Sequence, residues 1–271
     1  MNGGVRIRTE ADAETGRTRI VELSATAPLG VKVTGPEEVH IIGTAAAPLD
    51  GDVVTIDLEV GDGTQLTIGT VAATMAWPAR GDVSPSVMIV RAKVGEGASL
   101  RWLPEQLVPV RGCRHVLRSE VQLAATASVV WREEVILGRS RNDEGPGELD
   151  AELRVVRAGV PLLHQQLHLD GSGGAAHTAA SLLGTARALG SLLVAGPGAP
   201  EHFAQANEPG LRGAVLELEA GGRLASATAA SAVDLRKWLE ARRAGMAPPA
   251  AQPGDEEPPA TPSDQQELLS R

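Results

Sequence analysis

Between Val5 and about Asp170, apolar residues recur at every second position in short segments, and this alternation constrains the fold more than any other feature of the chain. The segments are Thr55–Val60, Gln65–Val71, Ser86–Val94, Ser99–Leu103, Leu117–Leu123, Ser128–Leu137, Ala151–Val156 and Leu163–Leu169. Each is rich in β-branched or alternating residues and is bounded by Gly, Pro, Asp or Asn, which is how half-buried strands read. Successive strand side chains point to opposite faces, so each segment offers one apolar face and needs a second layer to cover it. The expectation is a mainly β protein with a solenoid-like or stacked β-sheet body.

Two of the intervening turns are nearly the same heptapeptide, VGDGTQL at Val60–Leu66 and VGEGASL at Val94–Leu100, 34 residues apart. Gly-acid-Gly supplies the positive φ angles of a tight turn between a strand ending at Val60 or Val94 and another starting just before Leu66 or Leu100. Two equivalent hairpin corners, repeated in stacked layers, are expected.

Beyond Gly171 the pattern changes. Ala179–Val194 is rich in Ala and Leu and suits a helix, while its part LGSLLVAG also suits a strand. Pro200–Asn207 suits a short helix, and Val215–Ala229 reads as a hairpin turned at Gly221-Gly222. Ser231 with Asp234 three residues on resembles a capping box, and Val233, Leu235, Trp238 and Leu239 give the following helix an apolar face ending near Gly245. A few short helices thus belong to the C-terminal part of a single β-rich domain, residues 1–245. Residues 246–271 are Pro-rich and acidic with little to bury, the composition of a disordered tail.

The net charge is −9 with no basic stripe, which argues against nucleic acid or an anionic membrane as partner, since phosphate binding relies on clustered Lys and Arg. No apolar run of about 18 residues offers a membrane span, and the N-terminus lacks a signal-peptide core, so a cytoplasmic protein is expected. Cys113 is the lone cysteine, leaving no internal disulfide and no Cys-x-x-Cys metal knuckle. Aromatic residues are 2% of the chain, so the core is built from aliphatic side chains, with each Trp a scarce large filler.

Chemistry is thinly signalled. Glu133-Glu134 are adjacent on a strand and point to opposite faces, so one can face inward while the other occupies a solvated edge. His164 and His168 share a face, as do Cys113 and His115, but two ligands are too few for a closed metal site. There is no P-loop, no dinucleotide fingerprint and no Gly-x-Ser-x-Gly elbow. Trp102, just before Pro104, is either a core plug or an anchor for a partner surface. One functional reading open from these residues is a β-solenoid or sandwich enzyme acting on a glycan or small acid through inward carboxylates such as Glu133 or Glu134.

Four stretches, in order, resemble the urease accessory protein UreD (UreH) family: GDVVTIDLEVGDGTQLTI, VRAKVGEGASLRWLPEQLVPVRG, VQLAATASVVWREEVILGR and PLLHQQLHLDG. The matching positions are Gly51-Asp52, Leu66, Trp102-Leu103-Pro104, Leu137-Gly138-Arg139 and, after an insertion, Gly147-Glu148. The resemblance covers Leu29–Asp170 well and the rest loosely. The chain departs from the family at Gly69-Thr70-Val71, at Pro104-Glu105-Gln106 and in lacking the usual tyrosines and phenylalanines. The resemblance implies a non-catalytic maturation chaperone that docks on urease apoprotein, recruits UreF and through it UreG, and passes nickel along a polar internal route without holding it stably. Candidates for that route are Asp52, Asp57, Thr70, Glu134 and Glu148; Trp102, Pro104 and Arg139 carry the family's motifs and are candidates for partner contact.

Overall fold

The computed structural model describes residues 1–81, 83–138, 145–171, 183–197 and 210–243. The expected helix at Pro200–Asn207, the motif residue Arg139 and the acidic tail 246–271 lie outside the described residues.

The chain is organised as two face-to-face sheets. The first runs, in spatial order, β14 (Val160–Asp170), β13 (Glu148–Arg157), β11 (Arg114–Leu123), β8 (Ser86–Val94), β5 (Val53–Val60), β1 (Asn2–Ala11) and β2 (Thr18–Thr26). The second runs β16 (Leu211–Glu217), β17 (Arg223–Ala229), β15 (Ala188–Ala195), β12 (Ser128–Ile136), β9 (Ser99–Leu103), β6 (Gln65–Thr70), β4 (Glu38–Gly43) and β3 (Leu29–Gly35). Short strands β7 (Thr74–Ala76) and β10 (Leu107–Pro109) join the second sheet's margin. One helix, α1 (Ala232–Arg243), is present among the described residues; its Asp234 N–H donates to Ser231 Oγ at 3.2 Å, as the capping signature predicts.

The repeated heptapeptides are corners, not hairpins. β5, β8 and β11 pair in parallel within the first sheet, and β6, β9 and β12 pair in parallel within the second, so each heptapeptide carries the chain from one sheet to the other. Parallel neighbours cannot be joined by a two-residue turn and need a crossover; here the crossover is a whole coil of a solenoid.

The Gly-acid-Gly sequence then has a stacking role. Gly63 and Gly97 hold φ of +69° and +64°, where glycine is favoured. Asp62 accepts the Glu96 N–H at 2.8 Å. The Glu96 carboxylate accepts the N–H groups of Ala125 and Thr126 at 3.2 and 3.0 Å and also bonds the Thr126 hydroxyl. The Thr126 hydroxyl, then its N–H, hold the Glu96 carboxyl below its ordinary pKa. The acid of one corner therefore satisfies backbone donors of the next. A third corner, Leu123–Val129, completes the stack without glycines at the matching positions.

Close approach at this stack makes a testable demand. A Cβ on Gly95 would sit 2.2 Å from Asp62 Oδ1 and 2.9 Å from Asp62 N. Gly95→Ala is expected to cost about 1–3 kcal/mol of stability through overpacking, measured by denaturant unfolding. An unchanged midpoint would show that the corners are not in register.

Inward-facing Ile7, Leu58, Val90, Val121 and Leu153 of the first sheet pack with Ile41, Leu66, Leu100, Trp131 and Leu193 of the second in one buried cluster. Trp102 is in this core, stacked on Trp131 with ring centroids 5.2 Å apart and planes 24° from parallel. It is a plug, so its large apolar surface is not offered to a partner. A second cluster fills the space under α1, where Leu235, Trp238 and Leu239 cover the other side of β15 and β17. β15 is buried on both faces, which explains why Ala188–Ala195 lacks alternation and reads equally well as helix.

Candidate functional site

A cavity of about 280 Å³ lies between the sheets beside the Trp102–Trp131 stack. Its first-sheet wall includes Leu117 and Ser119 of β11, Leu153 of β13 and Gln165 of β14; its second-sheet wall includes Glu133, Ser191 and Ser226. The walls are mainly aliphatic, so the polar groups stand out by position. Glu133 of β12 is directly opposite Ser191 of β15, which is directly opposite Ser226 of β17. These three form a polar row across the inner face of the second sheet.

Glu133 is the carboxyl end of that row. Its Oε1 accepts the Ser119 hydroxyl and the Trp131 indole N–H, both at 2.9 Å. Burial among the surrounding aliphatic side chains pushes its carboxyl above the ordinary range, against the opposing pull of those two donors. Across the cavity, Gln165 Oε1 is enclosed and has no hydrogen-bond partner. The cavity therefore offers a carboxyl, several hydroxyls and one unused amide oxygen, all oxygen donors.

Glu134, on the opposite face of β12, is enclosed as well, so neither member of the pair occupies the solvated edge expected for one of them. Its side chain is fully enclosed beneath α1. Arg132 Nε lies 2.9 Å from Oε1, Arg236 Nε donates to Oε1 at 2.5 Å, and Gln106 Nε2 donates to Oε2 at 3.2 Å. Arg236 also grips Glu105 with two bonds of 3.0 and 3.2 Å, and Arg132 reaches Glu240 and the carbonyls of Leu103 and Pro104. This network ties the helix to β12 and to the Pro104–Gln106 segment. Glu134 borders the cavity, but its oxygens are committed to cations.

The other residues named for the nickel route are dispersed. Thr70 borders the cavity; its hydroxyl accepts the Glu105 N–H at 2.9 Å and donates to the Ala72 carbonyl at 3.1 Å. Asp52 is buried at the start of β5, where it accepts the Leu49 N–H at 2.9 Å and pairs with the Met1 ammonium. Glu148 opens β13 at the same edge of the first sheet, its N–H donating to the Cys113 carbonyl at 2.9 Å. Asp57 faces outward, in a cross-strand charge ladder with Arg6 at 3.8 Å and Arg91 at 3.4 Å, and Arg91 in turn approaches Glu120 at 3.9 Å. Pro104 lines the cavity rim.

His164, His115 and Cys113 make contacts of other kinds. His164 is on the outer face of β14 with its Nε2 2.7 Å from Glu152. His115 is buried, bonded through Nδ1 to the Ser86 hydroxyl at 2.9 Å, and burial pulls its pKa down to about 4. Burial, reinforced by the Asp50 charge, pushes the neighbouring Cys113 thiol up to about 12. Among the described residues no group of three or more His, Cys, Asp or Glu is placed to hold a metal ion.

Sequence reasoning considered Glu133 only as an enzymatic carboxylate and did not single out Ser119, Gln165, Ser191 or Ser226. The parity of VVWREEV was the available signal, because it puts Glu133 on the same face as Val129 and Trp131. Nothing comparable links Ser191 and Ser226 to it before the register is known.

Residues 1–259 match the family described as UreD urease accessory protein. Urease accessory protein UreD 3 of Streptomyces griseus is 38% identical over 241 residues, covering 87% of this chain and 93% of the relative. UreD of a Parafrankia species is 38% identical over 268 residues, covering 87% of both chains, and UreD of Frankia casuarinae is 38% identical over 279 residues, covering 86% of both.

Proposed function

The chain belongs to the UreD family of urease accessory proteins, and on that footing we propose that it is a non-catalytic scaffold of urease maturation that guides nickel through its inter-sheet cavity. The observation that supports this reading most is the cavity's donor set, with Glu133, Ser119, Ser191, Ser226 and Gln165 gathered in an aliphatic interior. Carboxylate, hydroxyl and amide oxygens hold a borderline divalent cation more loosely than thiolate or imidazole do, so an ion is admitted and then released. Glu133 holds the cation as the carboxylate, since metal ligands must be deprotonated, and the burial that raises its pKa favours return of a proton once the ion leaves. Of the residues named for the route, Thr70 and Glu134 border the cavity, Glu134 with its oxygens engaged by Arg132 and Arg236, while Asp52, Asp57 and Glu148 lie away from it.

The partners in this reading are urease apoprotein, UreF and, through UreF, the GTPase UreG. The setting is the cytoplasm, where a lone reduced cysteine is unremarkable; no helix among the described residues is long and apolar enough to cross a membrane. The direct test is to delete this gene from a strain carrying the urease structural and accessory genes, then measure urease activity and nickel bound per active site. Both are expected to fall and to return on complementation, with urease subunits and UreF co-purifying with the tagged chain. Nickel-replete, fully active urease in the deletion strain would end the proposal.

A further inference from the structure

β1, β5, β8, β11 and β13 run parallel to one another, and a parallel sheet is ordinarily covered on both faces. Here the second sheet covers the inner face, while α1 packs on β15 and β17 of that second sheet. The outer face of the first sheet is left open, with aliphatic residues on it. Val53 is 38% exposed, and Val87, Ile89 and Val116 are half-buried. Register makes them one patch: Val53 is beside Val87, Val87 is beside Val116, and Ile89 lies two positions along from Val87 on the same face. A contiguous apolar patch of this kind marks an interaction surface.

The same strands say what fits it. The outward residues of β5 are Val53, Thr55, Asp57 and Glu59; level with them on β8 are Val87, Ile89, Arg91 and Lys93. One strand is acidic where its neighbour is basic. Within the sheet these charges meet loosely, Arg91 standing 3.4 Å from Asp57 and 3.9 Å from Glu120. Among the described residues neither Glu59 nor Lys93 is in an ion pair.

A face so arranged is complementary to itself. With a two-fold axis along the strands, midway between β5 and β8, each copy's β5 lies over the partner's β8, because a two-fold interface makes every contact twice. Asp57 then meets the partner's Arg91, Glu59 meets the partner's Lys93, and Val53 meets the partner's Val87. On the flank, Arg6 of β1 meets the partner's Glu120. Aligned sheets pack with their strands within about 30° of each other, so rows close to the axis stay matched. The six strands from β2 to β13, over the eight residues of β5, span roughly 29 Å by 26 Å at ordinary strand spacing and rise. That is about 750 Å², close to the roughly 800 Å² that each partner contributes to a standard interface.

We propose that the chain forms a two-fold symmetric homodimer through the outer face of its first sheet, β5 of each copy packing on β8 of the other. The aliphatic rows close one half of the contact, and the acidic and basic rows fix its register. The cavity is on the far side of the same sheet, so this pairing is independent of the nickel reading.

The test is sedimentation equilibrium of the full-length chain and of two variants at exposed positions, Glu59→Lys and Lys93→Glu, each first shown by thermal melting to be folded. The wild type is expected to interconvert between monomer and dimer with concentration. Glu59→Lys sets base against base at both symmetric contacts and Lys93→Glu sets acid against acid, so each alone is expected to raise the dimer Kd by about tenfold or more. An equimolar mixture of the two is expected to regain association, since every contact in the mixed dimer again joins acid to base. Mixing cannot repair damage within one sheet, so the recovery belongs to this interface alone. Asp57→Arg and Arg91→Asp repeat the cycle one row nearer the patch if either first variant fails to fold. A wild type that stays monomeric up to about 100 μM, well above the micromolar limit usual for an interface of this size, would overturn the proposal. So would variants that dimerise as the wild type does, or a mixture that associates no better than its components.

Discussion

Replacing Glu134 with Gln is expected to lower stability by about 3–5 kcal/mol, the cost of breaking a fully buried ion pair on one side. For a chain of this size that corresponds to a fall in Tm of about 6–20 °C. The reason is positional. Glu134 is enclosed between β12 and α1, and the guanidinium groups of Arg132 and Arg236 both lie against its Oε1. Gln keeps the shape and removes the charge, leaving two buried cations near each other with only Glu105 and Glu240 to balance them. The matched control is Glu120→Gln on the exposed ladder of the first sheet, where the nearest cation is 3.9 Å away and a surface pair contributes about 0–1 kcal/mol. If calorimetry gives the two variants equal Tm values, the network under the helix does not hold the fold as described.

The neighbouring substitution is expected to do the reverse to stability and more to function. Glu133 has a folded-state pKa above its ordinary value of 4.5 because burial disfavours the charged form. A carboxyl raised in this way contributes its stability below the ordinary pKa, and that contribution is lost as pH rises through the folded value. Glu133→Gln carries the neutral form at every pH and can still accept from Ser119 and Trp131 through its amide oxygen. The variant should therefore lose less stability than the wild type as pH rises above the ordinary value of 4.5, and at pH 7.5 its Tm should equal or exceed the wild type's. Urease activation should fall by at least about tenfold, since the loss of groups that merely orient metal ligands already costs 10–100-fold. A protein that is more stable yet fails to load nickel separates Glu133's role in transfer from any role in folding. Full activation by Glu133→Gln would remove Glu133 from the route, and a marked loss of stability at pH 7.5 would show that the carboxylate is charged and paired.

Much of the architecture was legible before any coordinates. Alternation from β5 to β14 shows which residues face inward, and Trp131, Leu66 and Leu100 are in the core that alternation assigns them. The cap of α1 at Ser231 and the turn at Gly221-Gly222 are local features written in local residues. The misreadings have physical causes. A Gly-acid-Gly turn has the same backbone requirement whether it closes a hairpin or turns a corner between sheets, so Val60–Leu66 could not reveal which. The third corner at Leu123–Val129 lacks the glycines that made the others recognisable. Glu134 was read as a candidate for the nickel route because nothing within Ser128–Leu137 indicates that a helix 102 residues away delivers Arg236 onto it.

The sequence alone settled the alternating faces of the strands between β5 and β14, where the chain turns and how its helix is capped, because those are matters of nearest neighbours along the backbone. Tertiary structure decided which side chains meet. Parallel coils bring residues 34 positions apart into register, as with Asp57 and Arg91, and antiparallel neighbours within the second sheet pair Glu133 with Ser191 and Ser191 with Ser226. Periodicity specifies a face but not the neighbour across it, and strand register, a property of the whole stack, supplies that neighbour.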